Sequence, residues 1–183
     1  MHRLFLRMGL CLAAISVIIR KRGRFQLGLY LKQRVFSWGD SFYAYDALEN
    51  ERYRIQGEVF SWGKKLHLYD LQGAELAYIE QKLLTFLPRF AVFQRGVPVA
   101  EVVKEFTLFR HAYRVDGLGW TVEGDFWGHD YRILDGERTV ATVNKAWLTF
   151  GDTYHIDITD GYDEALTLAV VLVIDACIEM AED

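Results

Sequence analysis

Between residues 29 and 158 the chain repeatedly alternates apolar and polar positions. Leu66-His-Leu-Tyr69, Phe90-Ala-Val-Phe93, Tyr131-Arg-Ile-Leu134 and Tyr154-His-Ile-Asp-Ile158 all follow this rule. A period of two marks a β-strand with one buried face. Turn signals come next, at Asp70-Leu-Gln-Gly73, Gln94-Arg-Gly96 and Asp135-Gly136. Second alternating runs then appear: Leu76-Ala-Tyr-Ile79, Val99-Ala-Glu-Val-Val103 and Thr139-Val-Ala-Thr-Val143. A motif precedes each pair of strands and recurs at a spacing of about 24 residues. Arg34-Val-Phe-Ser-Trp-Gly-Asp40 returns as Glu58-Val-Phe-Ser-Trp-Gly-Lys64, Lys82-Leu-Leu-Thr-Phe-Leu-Pro88, Glu105-Phe-Thr-Leu-Phe-Arg110 and Ala146-Trp-Leu-Thr-Phe-Gly-Asp152. A degenerate copy lies around Asp125-Phe-Trp-Gly128. Six units of two strands predict about twelve strands in meander order.

The pattern changes after Asp160-Gly-Tyr-Asp-Glu164, whose acidic residues suit a helix N-terminus. Ala165 to Ile178 contains only Thr167 and Asp175 as polar positions. A helix without a polar face is either buried in protein or crosses a membrane. Its clean apolar run is too short to span a bilayer, and Asp175 would be costly in lipid, so the buried reading is favoured. Twelve strands tilted by about 40° close into a barrel about 22 Å across. The space left inside its side chains is about the width of a helix. The expected fold is therefore mainly β: a closed antiparallel barrel of about twelve strands around a central hydrophobic C-terminal helix. The same strands could also form a sandwich. In the barrel, Asp175 needs a partner inside or at the mouth.

Residues 1–28 differ in character. Met8 to Ile19 is apolar except for Ser16, and Arg20, Lys21, Arg22 and Arg24 follow it. Three readings stay open: an extension outside the domain with Met8 as an alternative start, a membrane-surface anchor whose basic cluster meets anionic headgroups, and a signal peptide. None makes it part of the core, which leaves residues 29–183 as the domain. With 51% hydrophobic and 25% charged residues the chain is not a disordered one, and its net charge of −4 offers no general attraction to nucleic acid. Cys11 and Cys177 have no metal-site spacing and imply no disulfide framework, which fits a reducing compartment. A cytoplasmic location is expected, with membrane association through the N-terminal segment.

Sites for chemistry are few. His67 and His155 fall on the polar face of their strands, opposite Leu66, Leu68, Tyr154 and Ile156, and read as exposed. His129 and Asp130 would pair as base and orienter, but adjacent strand residues point to opposite faces. His2 and His111 are the remaining histidines, and no metal-ligand spacing is present, so neither metal nor cofactor is expected. The fragments ending in Ser41 and Thr153 sit at equivalent repeat positions, where turn formation explains them. The repeat aromatics Trp38, Trp62, Phe86, Phe109 and Phe150 read as barrel packing.

The repeat motifs, together with Leu29-Tyr-Leu-Lys-Gln-Arg34, Val122-Glu-Gly-Asp-Phe-Trp-Gly-His-Asp-Tyr131 and Leu166-Thr-Leu-Ala-Val-Val-Leu-Val-Ile-Asp175, resemble the bacterial branch of the LURP-one-related family. That resemblance implies a fold like the tubby C-terminal domain and the phospholipid scramblases, a twelve-stranded barrel around a helix. Tubby domains bind phosphoinositide headgroups, but no headgroup motif in this sequence matches them, so no site residue is carried over. Two functions follow as expectations. One is a non-enzymatic module that binds anionic phospholipid or a protein partner. Its headgroup candidates are Arg20, Lys21, Arg22 and Arg24, with Lys64 and Lys65 set against the reading of an ordinary solvated hairpin. The alternative is a small-ligand binder or enzyme with a polar pocket at a barrel mouth. Ligand and oligomeric state stay open.

Overall fold

The computed structural model describes residues 28–32, 41–105, 112–126, 128–146 and 153–182. The expected N-terminal extension, 1–28, lies outside them except for Gly28, which opens the first strand; Arg20, Lys21, Arg22 and Arg24 lie outside too, together with Trp38, Phe109 and Phe150. The strands are β1 (Gly28–Lys32), β2 (Ser41–Tyr45), β3 (Glu51–Gly57), β4 (Lys65–Tyr69), β5 (Glu75–Gln81) and β6 (Arg89–Gln94), followed by β7 (Val97–Glu105), β8 (Ala112–Asp116), β9 (Trp120–Asp125), β10 (Asp130–Asp135), β11 (Arg138–Ala146) and β12 (Thr153–Ile158). Each pairs antiparallel with its neighbour in sequence, and β1 pairs with β12 from Gly28↔Asp157 to Lys32↔Thr153. The barrel is closed, and among the described residues no strand edge is left open.

Alternation decides which side chains point inward. Ile55, Leu66, Leu68, Ile79, Val92, Val102, Val115, Ile133 and Ile156 have almost no exposed surface, while their sequence neighbours, apart from the buried Ala91 and Val103, are at least partly exposed. Register shifts at Ala44/Tyr45, Leu68/Tyr69, Val92/Phe93 and Ile133/Leu134 all lie next to turns at one end of the barrel. Such bulges bend a strand and raise its twist, which helps the sheet curl shut.

The filling is α1 (Glu164–Glu182). Leu168, Ala169, Val170, Leu172, Val173, Ile174, Ala176 and Cys177 are completely buried. Asp163 caps the helix: its Oδ1 accepts the Leu166 N–H at 2.9 Å, and its carbonyl accepts the Thr167 hydroxyl at 2.7 Å. Thr167, one of the two polar residues of the apolar run, thereby bonds within the helix it interrupts. The helix enters where Tyr53 donates to Glu164 Oε1 at 2.8 Å and Gln94 donates to Asp163 at 3.2 Å. It ends near Gln81, whose amide donates to Met180 Sδ at 3.7 Å. Among the described residues no helix is long and apolar enough to cross a membrane.

Candidate functional site

In a closed meander, successive connections alternate between the two ends of the barrel. Connections 46–50, 70–74, 95–96, 117–119, 136–137 and 159–163 share the end where α1 enters. The strand ends on either side of 58–64, 82–88 and 126–129 lie at the other end, where α1 finishes. Two copies of the repeat motif, Glu58–Lys64 and Lys82–Pro88, fall wholly on described connections of this second set. Their period is the period of the barrel, two strands at a time.

The two fully described motif loops overturn one sequence expectation. Trp62 is 90% exposed and Phe86 is 96% exposed, so neither packs the barrel. Phe60 at 98% and Leu84 at 107% stand out beside them, with Val59 and Leu83 also exposed. The physical reason is position. Glu58–Lys64 lies between β3 and β4, and Lys82–Pro88 lies between β5 and β6. There no pleat turns alternate residues inward. We call this end the crown. The signal was available in the sequence: Val59-Phe60-Ser61-Trp62 does not alternate, and it always precedes a stretch that does.

Crown loops satisfy their own polar groups. Ser61 donates to the Gly63 carbonyl at 2.6 Å. At the equivalent repeat position, Thr85 Oγ1 lies 2.8 Å from the Leu87 carbonyl and 3.2 Å from that of Lys82. Lys64 is tied in through its backbone, whose N–H donates to Gln81 Oε1 at 2.9 Å. The Lys65 ammonium stands 3.6 Å from Glu58 and 3.8 Å from Glu80. The structure thus keeps Lys64 and Lys65 at the crown and sets Lys65 between two carboxylates.

The histidines are less exposed than alternation implies. His67, on the outer wall, contacts Glu75 at 2.6 Å and Glu58 at 3.0 Å, and His155 lies 3.4 Å from Asp157. His129 differs more. It sits in the β9–β10 turn with φ of 48°, not in a strand, and the turn swings its ring inward. Its Nδ1 is 3.3 Å from Asp175 Oδ1, which supplies the partner that Asp175 requires. The ring also lies 4.4 Å from that of Tyr154. Burial, and then the Asp175 charge, push the Tyr131 hydroxyl far above its ordinary pKa, and burial pushes the Cys177 thiol up to about 12. The phenol and the thiol therefore both stay protonated. His129→Ala and Asp175→Asn should each cost about 2 kcal/mol, with coupling of about 1 kcal/mol or more in a double-mutant cycle by chemical denaturation. Strictly additive losses would show the pair to be idle.

Concave space is found at the other end. An open cleft of 530 Å³ is lined by Asp135, Arg138, Thr139, Thr159, Asp160 and Tyr162. Desolvation, and then a hydrogen bond to Asp135, raise the Tyr162 pKa. Among the described residues no group of His, Cys, Asp and Glu is placed to hold a metal ion.

The family model described as LURP-one-related matches residues 27–175. The chain belongs to the LURP-one-related family. Its relatives include YxjI of Bacillus subtilis, a protein named as uncharacterized, which is 37% identical over 155 residues, covering 85% of this chain and 96% of YxjI. An X-ray structure of a protein from Arabidopsis thaliana shares the fold, with a TM-score of 0.57 at 16% identity over 84% of this chain and 91% of that one. In this LURP-one-related barrel the family match covers β1 to β12 and most of α1, so it includes both crown loops.

Proposed function

We propose that this LURP-one-related protein is a non-enzymatic module that docks end-on to a lipid bilayer through its crown. The observation that carries the reading is the near-complete exposure of Phe60, Trp62, Leu84 and Phe86 on two separate loops at one rim. Exposed apolar side chains on a monomer are usually scattered singly, and clustered ones mark an interaction surface. The far end supports the contrast: its exposed apolar residues are Leu48, Leu71 and Val97, one to a turn and none aromatic. Aromatics beside Ser, Thr and Gly suit the interfacial zone of a membrane, where amphipathic rings settle. Tips on separate loops around a rim fit a flat, yielding surface better than the concave groove of a protein. The helix occupies the barrel interior, so a ligand would have to be met outside it. Withdrawing half of these four side chains from water would contribute on the order of 8 kcal/mol before association costs.

Vesicle co-sedimentation of the full chain tests this. Trp62→Ser combined with Phe86→Ser should lower the partition coefficient at least tenfold without altering the fold, since both side chains lie outside the core. A companion variant carries Gln at Arg20, Lys21, Arg22 and Arg24. If that variant loses all binding and the crown variant none, attachment belongs to the N-terminal segment and the crown reading fails.

A further inference from the structure

We infer that the crown engages the interfacial zone of the bilayer by apolar insertion, without reading headgroup charge, so that its grip is the same on neutral and anionic lipid. This deepens the docking proposed above and rests on it. The argument begins with the charges beneath the tips. Electrostatic capture by an anionic leaflet needs unbalanced cations, each contributing about 1 kcal/mol near the surface. Among the described residues at the crown end, Lys64, Lys65, Lys82, Arg89 and Lys104 are matched in number by Glu58, Glu80, Glu105, Asp125 and Asp130. Lys65 lies between Glu58 and Glu80. On the outer wall below it, Arg89 faces Glu101 at 3.4 Å, and Arg114 lies between Glu105 and Asp116. The hydrogen bond from His67, and then Lys65, hold the Glu58 carboxyl below its usual pKa, so this loop keeps a fixed negative charge at its root.

The loops are built to leave water. Backbone and hydroxyl groups carried toward hydrocarbon are costly unless bonded within the protein. Ser61 and Thr85 occupy equivalent repeat positions, each between two of the four exposed tips. Each turns its hydroxyl onto carbonyls of its own loop. The polar residue between the apolar tips is therefore already partnered before docking. A headgroup-binding loop would present such hydroxyls outward.

Charge at the far end fixes the orientation. Its connections carry Asp46, Glu49, Asp70, Glu137, Asp160 and Asp163 against Arg95. An anionic surface repels that end, which offers a neutral surface no apolar cluster of comparable size. The barrel axis then stands along the bilayer normal with the cleft of Asp135 and Tyr162 facing away from the membrane.

The test compares the full chain with the Trp62→Ser, Phe86→Ser variant on two kinds of vesicle, phosphatidylcholine alone and phosphatidylcholine with phosphatidylserine. Each is run at about 50 mM and about 500 mM salt, which shortens the screening length from over 10 Å to about 4 Å. The quantity read is the ratio of wild-type to variant partition coefficients, because the basic cluster of residues 20–24 is common to both and cancels. The ratio should exceed ten in all four conditions and vary by less than about twofold between them. A ratio that is large only on the anionic vesicles and collapses in high salt overturns this inference while leaving crown docking intact. A ratio of one everywhere overturns both. So does wild-type self-association, seen by light scattering and abolished in the variant, without vesicle binding, since a second copy of the chain would then be the crown's occupant.

Discussion

Leu172→Asp should leave the protein unfolded at 25 °C. Leu172 is completely buried at the middle of α1, with Val171 and Val173 beside it and the barrel wall around them. The substitution removes a burial contribution of about 2 kcal/mol and asks an ionisable group to occupy a site with no water. An isolated carboxylate there would neutralise or force the helix out, at several kcal/mol either way. Domain stabilities are only about 5–15 kcal/mol, so little is left. Because the helix is the filling of a closed barrel, its loss would also expose the inward faces of the strands. The far-ultraviolet dichroism of the barrel should collapse with that of the helix, in a single step. Leu172→Met, which conserves volume, should cost less than about 1.5 kcal/mol. An Asp variant that melts at the wild-type temperature would mean that α1 does not fill the barrel.

The sequence disclosed the fold so fully because each strand here reports its own inner face. Leu66 and Leu68, or Tyr154 and Ile156, need only local alternation to be placed, and the structure buries them. The helix was legible for the opposite reason: an apolar stretch with no polar side has few places to go. What local pattern could not supply was the meaning of residues between strands. Trp62 and Phe86 look like core residues by chemistry, and only their position in a connection turns them outward. Nor could it supply contacts across the molecule. The requirement that Asp175 find a partner is visible in the sequence, yet alternation places His129 on a strand, where its side chain would alternate with Asp130. A positive φ in a short turn is the feature that redirects it. That turn is held by the Asp125 carboxylate, which accepts the Gly128 N–H at 3.1 Å, and by the His129 N–H bonded to the Phe126 carbonyl at 3.1 Å. Sequence order shows that a turn occurs there but not which way its fourth residue points.

The same region carries the second large effect, Gly124→Ala. Gly124 has φ of 141°, a conformation that side chains rarely adopt, and it pairs with Tyr131 in the β9–β10 ladder. A Cβ built there would lie 2.5 Å from Tyr131 Cα and 2.9 Å from Tyr131 Cβ, and nearer still to the Asp130 carbonyl oxygen. These are mostly backbone atoms of a neighbouring strand, so relief requires moving the ladder and not a flexible side chain. Tyr131 is fully buried and packs 5.6 Å from Phe126, ring centre to ring centre. Shifting it would disturb the floor on which His129 meets Asp175. The strain and lost packing should together cost about 3 kcal/mol, a fall in Tm of about 9 °C for a domain of this size. Gly136 provides the comparison. It too has a positive φ, 58°, but a Cβ there meets nothing within 4 Å. Gly136→Ala should therefore cost only the conformational penalty of about 1 kcal/mol. Equal losses from the two substitutions, measured by thermal and chemical denaturation, would show that the close approach of β9 to β10 is not what requires glycine at position 124.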